Sequence, residues 1–222
     1  NKFFLEKTKM NKLQIETSTI LLQKKELRQK SKELLKTYSI EKLDEKSKKI
    51  CNRILDWEFF IQATNIFFFM PLKSEPNIFE IIEKSLLQNK NCFIPKVNQD
   101  GTMDFYKLDN DIKLKNQVEI GKYNILEPKQ DLIKFDTQLL SDDDFSNQKN
   151  IIFIPATAFD KNKNRIGKGK GFYDKFLSKI TIPYKTKTIF VGISFNFLIF
   201  DKIPVEQTDI KMDFIITEEN IF

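Results

Sequence analysis

The residues best suited to chemistry lie between Asn164 and Leu177, in the stretch NRIGKGKGFYDKFL. Three of the six glycines of the chain alternate there with lysines, just before a predicted helix. Glycines let backbone N–H groups approach an anion closely, and the start of a helix adds partial positive charge. Arg165, Lys168 and Lys170 supply full positive charges. The pattern therefore predicts a phosphate-binding loop.

This loop differs from the two common phosphate-binding motifs. No Gly-Lys pair in it is followed by Ser or Thr, and its third glycine falls one position early for the dinucleotide fingerprint. A flexible surface turn with ordinary lysines is the other interpretation, but the concentration of glycines favours a functional loop. Asp174 lies in the first turn of the following helix, where it could face the helix dipole or bind Mg²⁺ beside phosphates.

The composition restricts the possible chemistry, because the sequence of 222 residues contains no histidine. Ser-His-Asp and Cys-His nucleophiles, histidine general bases and most zinc sites are therefore excluded. Acid–base chemistry would have to use carboxylates, lysine, tyrosine or the substrate itself. The hydrophobic content of 41% and the charged content of 31% are typical of a globular protein.

Charge and hydropathy also limit the partners. The net charge of +6 is spread along the chain, whereas nucleic-acid binding favours clustered basic residues. No apolar run reaches the 18 residues that a membrane span needs, and the first 23 residues lack the apolar core of a secretory signal. Cys51 and Cys92 lie in apolar contexts and are predicted to be reduced core residues. We expect a cytoplasmic protein that binds neither nucleic acid nor membranes.

The order of apolar segments predicts one three-layer α/β domain, with a central, mostly parallel sheet flanked by helices. Helices are expected over residues 24–37 and after Ser39, which can cap the second one. The segment 65–97 reads as strand, helix, strand, which is a βαβ unit with parallel strands. An edge strand begins at Met103, and further strands are expected within 150–160, 187–195 and 212–218. Residues 1–23 are interpreted as an N-terminal extension, and residues 24–222 as the domain.

The segment from Ile154 to Leu177 resembles the signature of the 5-formyltetrahydrofolate cyclo-ligases, also called 5,10-methenyltetrahydrofolate synthetases. The matching residues are Pro155, Phe159, Asp160, Arg165, Gly167, Gly169, Gly171, Phe172, Tyr173 and Asp174. Weaker segments agree in the family's order across residues 22–220: Lys24 or Lys25 with Leu27 and Arg28, then Glu75, then Glu127 with Pro128, and finally Asp209. Phe172, Thr208 and Ala156 depart from the family's usual Tyr, His and Gly.

The resemblance implies an ATP- and Mg²⁺-dependent enzyme that converts 5-formyltetrahydrofolate, with or without a polyglutamate tail, into 5,10-methenyltetrahydrofolate as a monomer. It implies that Lys168, Lys170 and Arg165 are catalytic, and that Asp174 and Asp209 bind Mg²⁺. It places ATP on Lys24, Lys25, Arg28, Arg165, Ile166, Gly167, Lys168, Gly169, Lys170, Gly171, Phe172 and Tyr173. It places the folate on Met70, Glu75, Lys168, Gly169, Lys170, Gly171 and Phe172. Without the resemblance, Lys24 and Lys25 would be solvated helix charges and Met70 a core residue.

Two other functions are compatible with the residues alone. A different phosphate-ligand enzyme, such as a sugar-phosphate isomerase, would need a proton-transferring carboxylate at the loop and no ATP. A basic nucleic-acid-binding module would bind through a phosphate-facing lysine cluster, and its affinity would fall steeply with salt. The phosphoryl-transfer chemistry of a cyclo-ligase needs positioning and charge neutralisation more than a protein nucleophile, so the absence of histidine is compatible with it.

Overall fold

The structure is a computed structural model that describes the backbone of residues 2–121, 124–138, 148–184 and 188–222, and the side chains of 17–121, 124–138, 148–180 and 188–222. The helices are α1 (Lys2–Lys36), α2 (Ile40–Leu55), α3 (Glu58–Gln62), α4 (Phe79–Leu87), α5 (Leu114–Gln117) and α6 (Phe172–Tyr184), with a 3₁₀ turn at Asn196–Leu198. The strands are β1 (Asn65–Phe67), β2 (Asn91–Val97), β3 (Met103–Lys107), β4 (Val118–Ile120), β5 (Leu126–Pro128), β6 (Asn150–Pro155), β7 (Ala158–Asp160), β8 (Arg165–Ile166), β9 (Thr188–Ile193), β10 (Ile199–Phe200) and β11 (Phe214–Ile216).

The central sheet has the strand order β11-β9-β6-β1-β2-β3 within the described ranges. Every neighbouring pair is parallel except β2 with β3, so the prediction of a mostly parallel sheet is confirmed. Strand β3 lies at the edge, as its alternating pattern predicts. Strands β10, β7 and β8 form a second small sheet, and β4 pairs with β5 as an antiparallel ribbon.

The predicted βαβ unit is present as β1, α4 and β2, with Asn65 opposite Asn91 in the parallel register. Strand β1 is shorter than predicted, because regular pairing ends at Phe67 rather than at Met70. The backbone N–H of Phe68 still donates to the carbonyl of Phe93 at 2.8 Å. Residues 68–70 are buried all the same, which explains why an apolar run overestimates the length of this strand.

Alternate residues of the strands face two separate hydrophobic cores. Ile151 and Phe153 pack into the core that contains Ile50 and Ile81 from α2 and α4. Ile152 and its neighbours on the other face of the sheet pack into the core beneath α6. This period-two alternation with helices on both faces gives the predicted three-layer arrangement.

The first helix reaches further towards the N-terminus than the sequence pattern predicts: α1 begins at Lys2, whereas the predicted helix begins at residue 24. The predicted division between residues 23 and 24 therefore lies within a continuous helix, and it stays a prediction. Ser39 caps α2 as predicted, since its side chain accepts a hydrogen bond from the N–H of Lys42 at 3.3 Å. Cys51 and Cys92 are free and buried, as predicted. Within the described residues, no helix combines the length and the apolar character that crossing a membrane would need.

Candidate active site

A cavity of about 470 Å³ lies where the carboxyl ends of β6, β1 and β2 meet. Ligands of open α/β sheets bind at this edge, and the volume is typical of a small-molecule site. The predicted site residues that line it are Lys24, Arg28, Met70, Glu75, Arg165, Ile166, Gly167, Lys168, Gly169, Lys170, Gly171, Phe172, Tyr173, Asp174 and Asp209. The cavity therefore gathers residues from α1, from the end of β1, from the glycine loop and from the segment before β11.

The glycine loop uses conformations that favour glycine. Gly169 has φ +91° and Gly171 has φ +69°, both in the left-handed region, which is strained for other residues. Arg28 of α1 packs over this loop, and its Nε donates a hydrogen bond to the carbonyl of Gly167 at 2.8 Å. A Cβ added at Gly169 would lie 3.6 Å from the Arg28 guanidinium carbon. Helix α1 and the loop are thus joined directly.

Arg165 forms an ion pair with Asp174 across the loop. The Arg165 side chain is buried, whereas about a third of the Asp174 side chain is exposed. The Nε of Arg165 is also buried and lacks a hydrogen-bond partner among the described residues. Asp174 lies in the first turn of α6, as predicted, and in this arrangement its carboxylate neutralises a buried guanidinium as well as facing the helix dipole.

Lys24 and its neighbour Lys25 have different surroundings in the structure. Lys24 is 5% exposed, and its Nζ lies 2.6 Å from both Asp209 Oδ2 and Glu206 Oε2. The Asp209 oxygen also accepts a hydrogen bond from the N–H of Glu206 at 2.7 Å. Lys25 is exposed and lies outside the cavity. Glu206 was missed by the sequence analysis, because its position three residues before Asp209 carries no motif of its own.

Glu75 and Lys168 connect two loops of the cavity. Glu75 is buried, and its Oε2 accepts a hydrogen bond from the N–H of Leu72 at 3.0 Å. Its Oε1 lies 2.9 Å from the Lys168 Nζ, which also contacts the Ser74 hydroxyl at 3.3 Å. Lys170 is exposed at the rim of the cavity. Two cationic side chains on one short loop can therefore meet an anion in the cavity.

The Tyr173 hydroxyl is buried and has no hydrogen-bond partner within the part of the chain that the structure describes. Burial raises the pKa of this phenol, and the nearby Glu75 carboxylate adds to that effect, while Arg165 opposes it. The hydroxyl therefore stays protonated across the physiological range. A ligand oxygen in the cavity could accept its hydrogen bond.

The carboxylates fit a magnesium ion only if a ligand completes its coordination. Among the described residues, no group of three or more His, Cys, Asp or Glu side chains is placed to hold a metal ion. Asp174 and Asp209 nevertheless both line the cavity. Mg²⁺ usually takes one or two carboxylates and completes its octahedral shell with phosphate oxygens and water. The donor set is therefore compatible with Mg²⁺ bound together with a phosphate ligand.

Comparisons with known proteins indicate the family and the fold of this chain. The model of the 5-formyltetrahydrofolate cyclo-ligase family matches residues 21–218. A 5-formyltetrahydrofolate cyclo-ligase of Mus musculus is 27% identical over 203 residues, which cover 91% of this chain and 97% of that protein. A probable 5-formyltetrahydrofolate cyclo-ligase of Schizosaccharomyces pombe is 27% identical over 187 residues, which cover 81% of this chain and 87% of that protein. The NMR structure of Aquifex aeolicus 5,10-methenyltetrahydrofolate synthetase has a similar fold, with a TM-score of 0.72 at 24% sequence identity. The superposition covers 89% of this chain and 91% of that one.

Proposed function

This chain belongs to the 5-formyltetrahydrofolate cyclo-ligase family, and from that premise we propose that it converts 5-formyltetrahydrofolate into 5,10-methenyltetrahydrofolate with ATP and Mg²⁺. The family match selects this hypothesis over the isomerase and the nucleic-acid module. The main support for an ATP-dependent reaction is that one cavity is lined by the glycine loop with its lysines, by Arg28 of α1, and by the Asp174 and Asp209 carboxylates.

The reaction needs a phosphoryl transfer, because a formyl oxygen bonded like an amide oxygen is a poor leaving group. The formyl oxygen attacks the γ-phosphorus of ATP, an O–P bond forms, and ADP leaves. N10 of the folate then attacks the formyl carbon, and the carbon–oxygen bond breaks. Inorganic phosphate departs with that oxygen, and N10 loses its proton. Closing the ring thus consumes one ATP and produces ADP and phosphate.

We assign the positive charges of the loop to the transferring phosphoryl group. Phosphoryl transfer depends on positioning and on neutralising charge that spreads over the phosphate oxygens. Lys168 and Lys170 are exposed residues that line the cavity, so their ammonium groups can turn towards that charge, while buried Arg165 pairs with Asp174 across the loop. Lys24 and Arg28 would bind the ATP from α1. Bound Mg²⁺, held by Asp174 and Asp209, would supply further neutralisation of the phosphates.

Glu75 and Met70 are assigned to the folate. Both follow β1 and both line the cavity beside Lys168. The ion pair between Glu75 and Lys168 places this carboxylate beside the residue proposed to stabilise the phosphoryl group. The monomeric state and the cytoplasmic location stay predictions.

The test is a direct assay. The protein is incubated with 5-formyltetrahydrofolate, ATP and Mg²⁺, and the methenyl product is followed by its near-ultraviolet absorbance while ADP is measured in parallel. We expect product and ADP in equal amounts, and no product when ATP or Mg²⁺ is omitted. Protein that melts cooperatively yet forms no product would refute the proposal.

A further inference from the structure

Glu127 is a buried carboxylate that the mechanism above does not use. It lies in β5, is 7% exposed and lines the cavity. Within the described residues, its carboxylate takes part in no hydrogen bond or ion pair. Glu75, the other buried glutamate of the cavity, accepts from the N–H of Leu72 and from Lys168. The carboxylate oxygens of Glu127 are therefore free to accept hydrogen bonds from a ligand in the cavity.

The backbone of Gly121 makes room for this carboxylate. A Cβ added at Gly121 would overlap Glu127 Oε2, so a larger residue there would displace the glutamate side chain. The φ angle of Gly121 is outside the left-handed region, so the backbone itself does not require glycine there. One of only six glycines in the chain thus provides space for the Glu127 side chain.

Glu127 does not stabilise its own ribbon. In the antiparallel pair of β4 and β5, it lies directly opposite Glu119, which is exposed. Like charges at directly opposite positions are destabilising. The fold therefore gains nothing evident from a carboxylate at this position.

The surroundings of Glu127 differ from those of the glycine loop. The carbonyl of Pro128 accepts a hydrogen bond from Lys96 of β2 at 3.2 Å, which holds β5 beside that strand. The cavity residues from this side are Pro95, Val97, Met103 and Ile125, all apolar. In the sheet order, β2 is two strands from β6, or about 10 Å from it. The cavity thus has a cationic end at the loop and an apolar end that contains one carboxylate.

We propose that Glu127 binds the amino-pyrimidinone edge of the substrate's bicyclic ring. That edge presents two parallel donors, the ring N–H and the exocyclic amino group, and a carboxylate presents two matching acceptors. The apolar residues would cover the faces of the ring, and its formyl end would point towards the loop. This inference rests on the proposed function, because it takes the substrate from it. Glu127 would then determine which bicyclic ring the enzyme accepts.

The experiment measures binding of 5-formyltetrahydrofolate without ATP, by calorimetry, to the wild type, Glu127→Gln and Glu119→Gln. The amide introduced by Glu127→Gln would offer a donor where the ring edge also offers one, so Kd should rise by about 10- to 100-fold. Glu119→Gln, which removes the opposite and exposed carboxylate, should bind like the wild type. Nucleotide binding, measured separately, should be unchanged in both variants.

An analogue with a methyl group in place of the exocyclic amino group gives an independent comparison. The wild type should bind it about 10-fold or more weakly than the substrate, because one hydrogen bond to a charged group is lost. Glu127→Gln should lose most of that discrimination. Gly121→Ala keeps the charge but displaces the carboxylate, so it should also weaken substrate binding. It is the variant to measure if Glu127→Gln fails to fold.

Discrimination kept in folded Glu127→Gln, or in Gly121→Ala where that is the variant measured, would overturn the assignment. Wild-type protein that binds the substrate but forms no methenyl product would refute the proposed function instead. The two failures are therefore distinguishable, because binding is measured without ATP and the product only with it.

Discussion

Lys168 Nζ lies 2.9 Å from Glu75 Oε1, so the glycine loop is held against the segment that follows β1. Glu75 is buried and already fixed by the N–H of Leu72, whereas the Lys168 side chain is 43% exposed. The lysine is therefore the partner that can move. It can stay against Glu75 or turn towards an anion in the same cavity, so in the proposed reaction it would lie between the two reacting groups.

Replacing Lys168 should lower the kcat of protein that still folds. In Lys168→Ala we expect kcat to fall by about 100-fold or more, because one positioned charge at the transferring group is lost. The free energy of unfolding should fall by no more than about 1–3 kcal/mol, because the buried Glu75 loses its cation but keeps the hydrogen bond from the N–H of Leu72. Lys161→Ala is the matched control, because Lys161 forms an exposed pair with Asp201 outside the cavity. Similar losses of kcat in both variants would remove Lys168 from the mechanism.

Asp174→Asn should change both metal dependence and stability. The variant loses one of the two carboxylates assigned to Mg²⁺, so a higher Mg²⁺ concentration should be needed for half-maximal rate. It also leaves the buried Arg165 guanidinium without its ionic partner, which should lower the free energy of unfolding by about 1–3 kcal/mol. Steady-state rates across a Mg²⁺ titration, together with urea unfolding, measure the two effects. A loss of stability with unchanged Mg²⁺ dependence would assign Asp174 to Arg165 alone.

Lys24 and Lys25 should behave differently although they are adjacent. Lys24→Met should raise the KM for ATP by about 10-fold or more, because a buried charge that faces the cavity is removed. It should also destabilise the protein, since Glu206 and Asp209 lose their common cation. Lys25→Met should leave the KM unchanged, because Lys25 lies on the exposed face of α1. Equal effects on the KM would mean that α1 is rotated in the complex with ATP.

The two cysteines should make stability fall at alkaline pH. Burial raises the pKa of both the Cys51 and the Cys92 thiol from 9.0 to about 12. In the unfolded chain the thiols ionise near their ordinary pKa, whereas in the folded chain they stay protonated. Their contribution is therefore complete below that ordinary pKa and is lost as the pH rises towards the folded-state value, by up to about 1.4 kcal/mol per pH unit for each thiol.

Urea unfolding at pH 7, 9 and 10.5 measures this dependence. The double variant Cys51→Ala/Cys92→Ala should be less stable at pH 7, because two buried side chains are shortened. Its stability should nevertheless fall less steeply above pH 9 than that of the wild type. If stability falls with pH at the same slope in the two proteins, the pKa values of the thiols do not differ between the folded and unfolded states.

The glycine loop and its neighbours could be predicted from sequence because their geometry is local. The loop and the helix start both lie between Arg165 and Asp174, whereas the ion pair between these two residues was not predicted. The βαβ unit was also predictable, since its strands are contiguous apolar runs joined by one helix. The length of β1 was not, because burial of residues 68–70 does not depend on strand pairing.

By itself, the sequence determined the fold class, the family signature and the cationic loop, since each depends on residues close together in the chain. Only the tertiary structure decided which distant residues complete the cavity. One step along α1 turns a side chain by about 100°, so packing against Asp209 distinguishes Lys24 from Lys25. Packing likewise brought Glu206 to Lys24. Such contacts depend on how the elements are packed together, and no local pattern records them.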